Sequence, residues 1–444
     1  MTTKGDEMAH RTWRRSVPLV AGALGLALIA ASCTDNNSDD AGSDDDGGGS
    51  AVTISGPETG AEADGFQASL DAFTADSGIE VTYSGSRDFE SQIRVAAEGD
   101  NLPDIAVIPQ PGLVADLASH ITPVPQSTLD AHEGDFDPYL WDLVTVDGTV
   151  LGVPNKGDVK SLVWYSPSVF AEKGYSIPET WDELMALQET MKGDGIAPWC
   201  VGIESGDATG WTLTDWMEDI MLRLHGPDVY DQWVSHEIPF NDPMVKDVAQ
   251  VVADIWFADG NILNGRQSIA STGFAQAGLP ITDGQCGMHR QANFYAANFQ
   301  DANADIQFGP EGDVNTFYLP TMSDDFGKVT LSGGTFIVAF NDNPNTLAAL
   351  DYLAGADYAD NRIKADKGGY LSPNQKSDTS LYSSPLDQTL ADILVTASPV
   401  RFDGSDNMPA AVGQGSFWKE GTNWVLGTST LDEFLDNVEA SWPK

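Results

Sequence analysis

The amino-acid sequence predicts an α/β protein of two lobes, between which the chain crosses three times. Three observations carry that expectation. A strand–helix–strand–helix–strand run fills residues 52–108, the pattern of a parallel sheet with right-handed crossovers. An extended stretch at 153–165 mixes opposite charges with apolar residues, as a strand leaving one lobe for another would. Strand-then-helix order returns near residue 335, where the chain re-enters the first lobe.

At 444 residues the chain is long enough for two or three domains and a large core, and 41% hydrophobic residues make it globular rather than disordered. Lys plus Arg number 22 against 67 Asp plus Glu. That deficit excludes nucleic-acid binding as a main activity, because phosphate backbones are held by a basic footprint. It also argues against docking on anionic lipid through charge. The surplus acid is expected on a solvated, self-repelling surface, and composition leaves adaptation to salt open.

Residues 1–33 read as a targeting segment. Arg11, Arg14 and Arg15 precede an apolar run, Val17 to Ala31, that is shorter than the roughly 20 residues of a spanning helix. Ala30-Ala31-Ser32-Cys33 resembles a bacterial lipobox, in which Cys33 is lipidated and becomes the new N-terminus. Ala30 stands where such boxes usually carry a Leu-like residue, so a plain secretory signal is the alternative. Arg14-Arg15 also permits a twin-arginine route. Residues 34–50 hold six Asp and four Gly and almost nothing apolar, the composition of a flexible acidic tether. Lipid and tether together predict a domain anchored to the cell membrane on its extracytoplasmic face. In that compartment Cys200 and Cys286 are most simply a disulfide, worth about 4–5 kcal/mol in the chain-entropy account. No His or acid sits at ligand spacing near both, so no metal site is expected.

In the first lobe, strands are expected at Val52–Ser55, Ile79–Tyr83 and Asp104–Ile108, the last apolar on both faces and so buried on both. Phe66, Leu70 and Phe73 stripe a helix over Ala61–Asp76, and Phe89 and Ile93 stripe one over Arg87–Glu98. Ligands of such sheets sit beyond the carboxyl ends of the strands. Here those ends are Gly56–Gly60, Ser84–Asp88 and Pro109–Gly112, and no Gly-x-Gly-x-x-Gly or Walker-type loop is among them, so no nucleotide is implied. In 153–165, Asp158, Lys160, Leu162 and Trp164 alternate with Val159, Ser161, Val163 and Tyr165. The charged side is expected in a cleft between lobes; an ordinary edge strand is the alternative. Beyond it, Thr180-Trp181-Asp182-Glu183 is a capping box, and helices follow over about 212–225 and 243–258. Ser332–Phe340 is extended and opened by Gly333 and Gly334, a hinge or a tight turn. Asn343-Pro344 starts a helix bearing Leu347, Leu350 and Leu353. Gly368–Asn374 turns into the third passage, and Thr430–Glu433 is a second capping box.

Catalytic signatures are absent: no Gly-x-Ser-x-Gly elbow, no His-Glu-x-x-His, and only six His, none clustered. Paired carboxylates for glycoside cleavage remain an alternative, since 67 acids offer many accidental pairs. Binding chemistry has more support. Eleven Trp follow the targeting segment, and several aromatics adjoin polar residues: Trp164, Trp211, Phe294 beside Asn293, and Trp418 beside Lys419. A sugar has apolar C–H faces and a hydroxyl rim, which suits an aromatic shelf flanked by charged and amide groups.

Gly85-Ser86-Arg87-Asp88-Phe89-Glu90, Leu102-Pro103-Asp104-Ile105-Ala106, Ser161-Leu162-Val163-Trp164-Tyr165, Pro178-Glu179-Thr180-Trp181-Asp182-Glu183-Leu184, Ser332-Gly333-Gly334-Thr335, Gly369-Tyr370-Leu371-Ser372-Pro373-Asn374 and Phe402-Asp403-Gly404-Ser405-Asp406 resemble, over about 51–444, the bacterial extracellular solute-binding proteins of family 1. The similarity is greatest to the α-glucoside-binding branch. It implies a periplasmic-binding-protein fold, type II-like and maltose-binding-protein-like, with three hinge crossings and closure on ligand. It further implies a small carbohydrate ligand, ABC transporter permease subunits as partners, a monomer, no cofactor and no enzymatic activity. Another polyol or oligosaccharide is the alternative ligand, and an extracellular glycoside hydrolase the alternative activity.

The expected division is 51–158 with 335–378 for the N-terminal lobe, and 159–334 with 379–444 for the C-terminal lobe. Candidate ligand-binding residues are Glu58, Arg87, Asp88 and Gln110 at strand ends, and Asp158 and Lys160 at the first passage with Gly334 at the second. Asp207, Trp211, Arg290, Phe294, Asp403 and Trp418 complete the set from the second lobe. Phe294 falls where relatives often carry a sugar-stacking Trp, which weakens that shelf. Asp88 has helix capping as its alternative role, and Asp158 has simple pairing with Lys160.

Overall fold

Alternation along the first strands decides the architecture. In the computed structural model, which describes residues 51–366 and 368–443, β1 (Val52–Gly56), β2 (Val81–Gly85) and β3 (Ile105–Ile108) pair in parallel with β1 central. Ile105 and Val107 face one core with Phe66 and Leu70, while Ala106 and Ile108 face another with Phe89 and Ile93. A strand buried on both faces was the expectation for β3, and this is how it is met. The helices Ala61–Ser77 and Phe89–Glu98 make the crossovers. Phe89–Glu98 starts two residues later than periodicity predicts, with Asp88 at its N-cap position but making no side-chain cap. Strand β2 is likewise displaced two residues toward the C-terminus. The targeting segment, Cys33 and the tether 34–50 lie outside the described residues.

A small hairpin, β4 (Thr145–Val146) and β5 (Thr149–Val150), precedes the stretch 153–165. Where one continuous strand was expected there are two, β6 (Val153–Val159) and β7 (Leu162–Tyr165), and they join different sheets. The break falls at Lys160-Ser161. The Ser161 Oγ accepts from Leu331 N–H at 2.9 Å and donates to Asp219 at 2.7 Å, so a side chain takes over one ladder position. Periodicity alone carries no mark of such a substitution.

The second sheet runs β10 (Asn315–Tyr318), β7, β9 (Cys286–Arg290), β8 (Ala197–Trp199), where β8 precedes β9 in the chain. Cys200 and Cys286 form the expected disulfide at the end of β8, with Cα atoms 5.8 Å apart. Around this sheet pack the helices Trp181–Gly193, Trp211–Leu224 and Pro243–Trp256, with Trp199, Trp216 and Trp256 in edge-to-face contact. Both predicted capping boxes form, at Thr180/Glu183 and Thr430/Glu433.

The long strand β11 (Thr330–Ala339) knits the two-lobed fold together. One edge pairs in parallel with β12 (Val400–Phe402) through 330–332 and antiparallel with β3 through 336–339; the other edge pairs with β6. Gly157 lies opposite Gly334, and the Gly157 N–H donates to the Leu371 carbonyl at 2.9 Å. All three passages therefore run side by side. Gly334 sits inside a strand rather than in a turn, and its role is close approach: a Cβ there would collide with the Lys156 carbonyl oxygen.

Candidate functional site

A cavity opens beyond the carboxyl ends of β1, β2 and β3, against the junction of β6 and β11. The loops after these three strands contribute Glu58, Arg87 and Gln110, as parallel-sheet geometry predicts. Strand β6 and the residue following it contribute Lys156, Asp158 and Lys160, one period-two row along the backbone. Four rings, Trp211, Phe274, Phe294 and Trp418, complete the wall with Asp403 and Asp406.

Local backbone requirements place the rings. Gly210 has φ +117°, and a Cβ there would lie 2.5 Å from the Trp418 carbonyl oxygen, so only glycine fits. This brings the start of the helix Trp211–Leu224 against the start of the helix Trp418–Leu426. Trp211 then meets Phe274 edge-on at 5.1 Å and Phe294 at 6.0 Å. The Trp418 indole N–H is buried and no atom among the described residues accepts from it; the Gln110 Oε1 is buried and, among the same residues, likewise without a donor. The Gln110 amide nitrogen is engaged, donating to Glu90 at 3.0 Å.

Two ionic clusters back the wall. In one, Lys156 Nζ lies 2.9 Å from Glu62 and 3.3 Å from Glu58, and Arg362 reaches Glu58 at 3.2 Å. Burial works against the Glu58 charge, but Lys156 and Arg362 outweigh it and its carboxyl is lowered. In the other, Lys160 Nζ lies 3.0 Å from Asp215 and 2.5 Å from Asp403. Burial opposes the Asp403 charge, yet Lys160 and the hydrogen bonds around it hold that carboxyl at about 2. Asp215, deeper in the wall, is raised to about 6 because burial exceeds the pull of Lys160 and Arg290. Asp158 and Asp406 are raised as well, burial being the first cause in each.

Ten of the thirteen sequence-predicted residues line this cavity: Glu58, Arg87, Gln110, Asp158, Lys160, Trp211, Phe294, Gly334, Asp403 and Trp418. Three do not. Arg290 is fully buried behind the wall, holding Asp219 at 2.9 Å and Asp215 at 3.2 Å. Asp88 and Asp207 meet each other instead: Asp207 N–H donates to Asp88 at 3.3 Å, and the Ser91 hydroxyl donates to the Asp207 carboxylate. Trp164, offered as a polar-flanked aromatic, is entirely buried and donates to the Gln291 carbonyl at 2.9 Å. Asp158 does not pair with Lys160; it accepts from Asn293 at 3.4 Å. Glu62, Glu90, Lys156, Phe274 and Asp406 line the wall and were not anticipated. Of these Lys156 was within reach, since it shares the period-two row of Asp158 and Lys160.

The model of the family described as bacterial extracellular solute-binding protein matches residues 58–360. The chain is 40% identical over 398 residues to the osmoprotective compounds-binding protein GgtB of Synechocystis sp., covering 88% of this chain and 92% of that one. It is 35% identical over 414 residues to the alpha-glucosides-binding periplasmic protein AglE of Rhizobium meliloti, covering 88% and 86%. Among solved structures, the bacterial solute receptor AcbH superposes with a TM-score of 0.75 at 19% identity, covering 88% of this chain and 97% of that one. Maltose-bound MalE3 of T. maritima gives 0.67 at 16%, covering 88% and 98%. At those identities the two structures speak for the fold alone.

Proposed function

The chain belongs to the bacterial extracellular solute-binding protein family, and on that footing we propose that it is the lipid-anchored receptor of an ABC importer. It binds an α-glucoside-type oligosaccharide in the cavity and delivers it to the permease subunits, without covalent chemistry. The lobes are taken as 51–158 with 335–378 and 159–334 with 379–444, and Cys33 as the lipid-bearing residue. Among the described residues no helix is long and apolar enough to cross a membrane.

One observation carries the reading. The cavity wall combines aromatic rings with buried polar atoms that have no partner among the described residues, the Trp418 N–H and the Gln110 Oε1. An unmatched buried donor or acceptor costs about 1–3 kcal/mol, so a ligand that supplies the missing partner recovers it. A hydroxyl does both, donating to Gln110 and accepting from Trp418, while C–H faces of the same sugar rest on rings. The relatives named for α-glucosides and for osmoprotective compounds support a ligand of this sort.

Titration calorimetry against maltose, trehalose, sucrose and longer glucans tests the proposal. Saturable one-to-one binding to at least one of them is expected. Absence of binding across the panel would contradict it.

A further inference from the structure

We propose that this cavity, read above as a carbohydrate site, sorts its ligands by charge: it admits neutral and cationic glycosides and rejects those carrying a carboxylate or phosphate. The wall holds six carboxylates, Glu58, Glu62, Glu90, Asp158, Asp403 and Asp406, against three cations, Arg87, Lys156 and Lys160. Each ammonium is already committed. Lys156 lies between Glu58 and Glu62, and Lys160 between Asp215 and Asp403, at 2.5–3.3 Å. The remaining cation, Arg87, is within 4.0 Å of Glu62 and lies 4.9 Å over the Phe274 ring.

The layer behind does not restore the balance. Arg290 is held by Asp215 and Asp219, and Arg362 by Glu58 and Asp366, while Glu218 adds a further buried acid. Meanwhile Asp158 and Asp406 form no ion pair among the described residues. Apart from the Arg87 guanidinium, which is only partly exposed and 4.0 Å from Glu62, the groups left open to a ligand are mainly acceptors: the Asp406 carboxyl, the Asp158 oxygen that Asn293 does not engage and the Gln110 Oε1, against the Trp418 N–H. Hydroxyls and ammonium groups satisfy acceptors. A ligand anion finds no uncommitted ammonium, and it enters a buried wall of carboxyl groups, where an unpaired charge is expensive.

The test is calorimetry with the neutral disaccharide that binds in the panel above and two derivatives at one C6 position. One has the hydroxymethyl oxidised to a carboxylate; the other has the hydroxyl replaced by an amine. The three are close in bulk and differ in charge. The carboxylate is expected to bind at least about thirtyfold more weakly than the parent, and the ammonium form within about threefold of it or tighter. Asp158→Asn and Asp406→Asn are each expected to narrow the carboxylate's deficit at least about threefold. A carboxylate within threefold of the parent overturns the proposal. So does an ammonium form that loses as much as the carboxylate, since that loss is steric, and so does a deficit unchanged in both variants. Failure of every neutral sugar to bind would overturn the carbohydrate reading first, and the charge rule with it.

Discussion

Trp418 lines the cavity and carries an indole N–H that no atom among the described residues accepts. Trp418→Phe keeps an aromatic ring, smaller than the indole, and removes the donor. If a ligand hydroxyl accepts from that N–H, affinity should fall by about 1–2 kcal/mol with the fold intact. An unchanged dissociation constant by calorimetry would remove the N–H from the site. Lys160 answers to a different measurement. It is the cation shared by Asp215 and Asp403, all three buried. Lys160→Met would leave two carboxylates facing each other, and breaking a buried pair from one side costs about 3–5 kcal/mol. Urea denaturation should show a loss of that order. A loss below about 1 kcal/mol would mean that the lysine is not what holds this cluster together.

Between elements, two contacts join parts of the chain far apart in sequence without touching the cavity wall. The Asp301 carboxylate accepts from Ala61 N–H at 2.9 Å, capping the helix Ala61–Ser77, which has no side-chain cap of its own. Asp207 meets Asp88 and Ser91 in the same manner. If the lobes close on a ligand as proposed and these contacts form on closure, Asp301→Ala should weaken ligand binding by about 0.5–2 kcal/mol, the worth of a cap. Equal affinity in the variant would show that the contact does not contribute to closure. The third passage offers a pH test. Burial first, and the neighbouring Asp366 charge second, raise Asp387 to about 7 from an ordinary 3.8. The folded state then holds a proton that the unfolded chain releases near pH 4, so stability declines as pH rises from about 4 to about 7 and levels off above. One pKa unit is about 1.4 kcal/mol, so Asp387→Asn should be the more stable protein at pH 8 and lose its advantage toward pH 4. Parallel melting curves across that range would contradict the assignment.

How far the sequence reaches is clear from these same residues. An unbroken apolar run marked β3 as buried on both faces and alternation marked the charged row of β6, because both patterns are local properties. The capping boxes were local too, and both formed. What it did not reach depends on distant chain. Lys160 takes its partners 55 and 243 residues away, and Arg290 is drawn behind the wall by two acids on the helix Trp211–Leu224. Nothing local distinguishes an arginine that faces a ligand from one that anchors the residues that do. Of the two expectations for Gly334, the tight turn is not met: it lies within a strand and makes room for the neighbouring backbone, a requirement set by the Lys156 carbonyl opposite it.

Taken together, the chain is a strongly acidic two-lobed receptor with its cavity at the side-by-side crossings of β6, β11 and the segment near Leu371. A formal net charge of −45 is self-repulsive, and salt screens it over about 10 Å at 0.1 M. Raising sodium chloride from 10 mM to 0.5 M should therefore raise the melting temperature by several degrees, and a fall would mean that surface ion pairs outweigh the repulsion. The acidity of the cavity is a separate matter, since its carboxylates are buried and screened far less. The account stands or falls on where a sugar sits. A crystal structure grown with the tightest-binding sugar of the panel should show it against Trp211 and Trp418, with one hydroxyl within hydrogen-bond reach of Gln110 Oε1 and Asp158 or Asp406 accepting another. Sugar density elsewhere on the surface, with this cavity holding only solvent, would contradict the account.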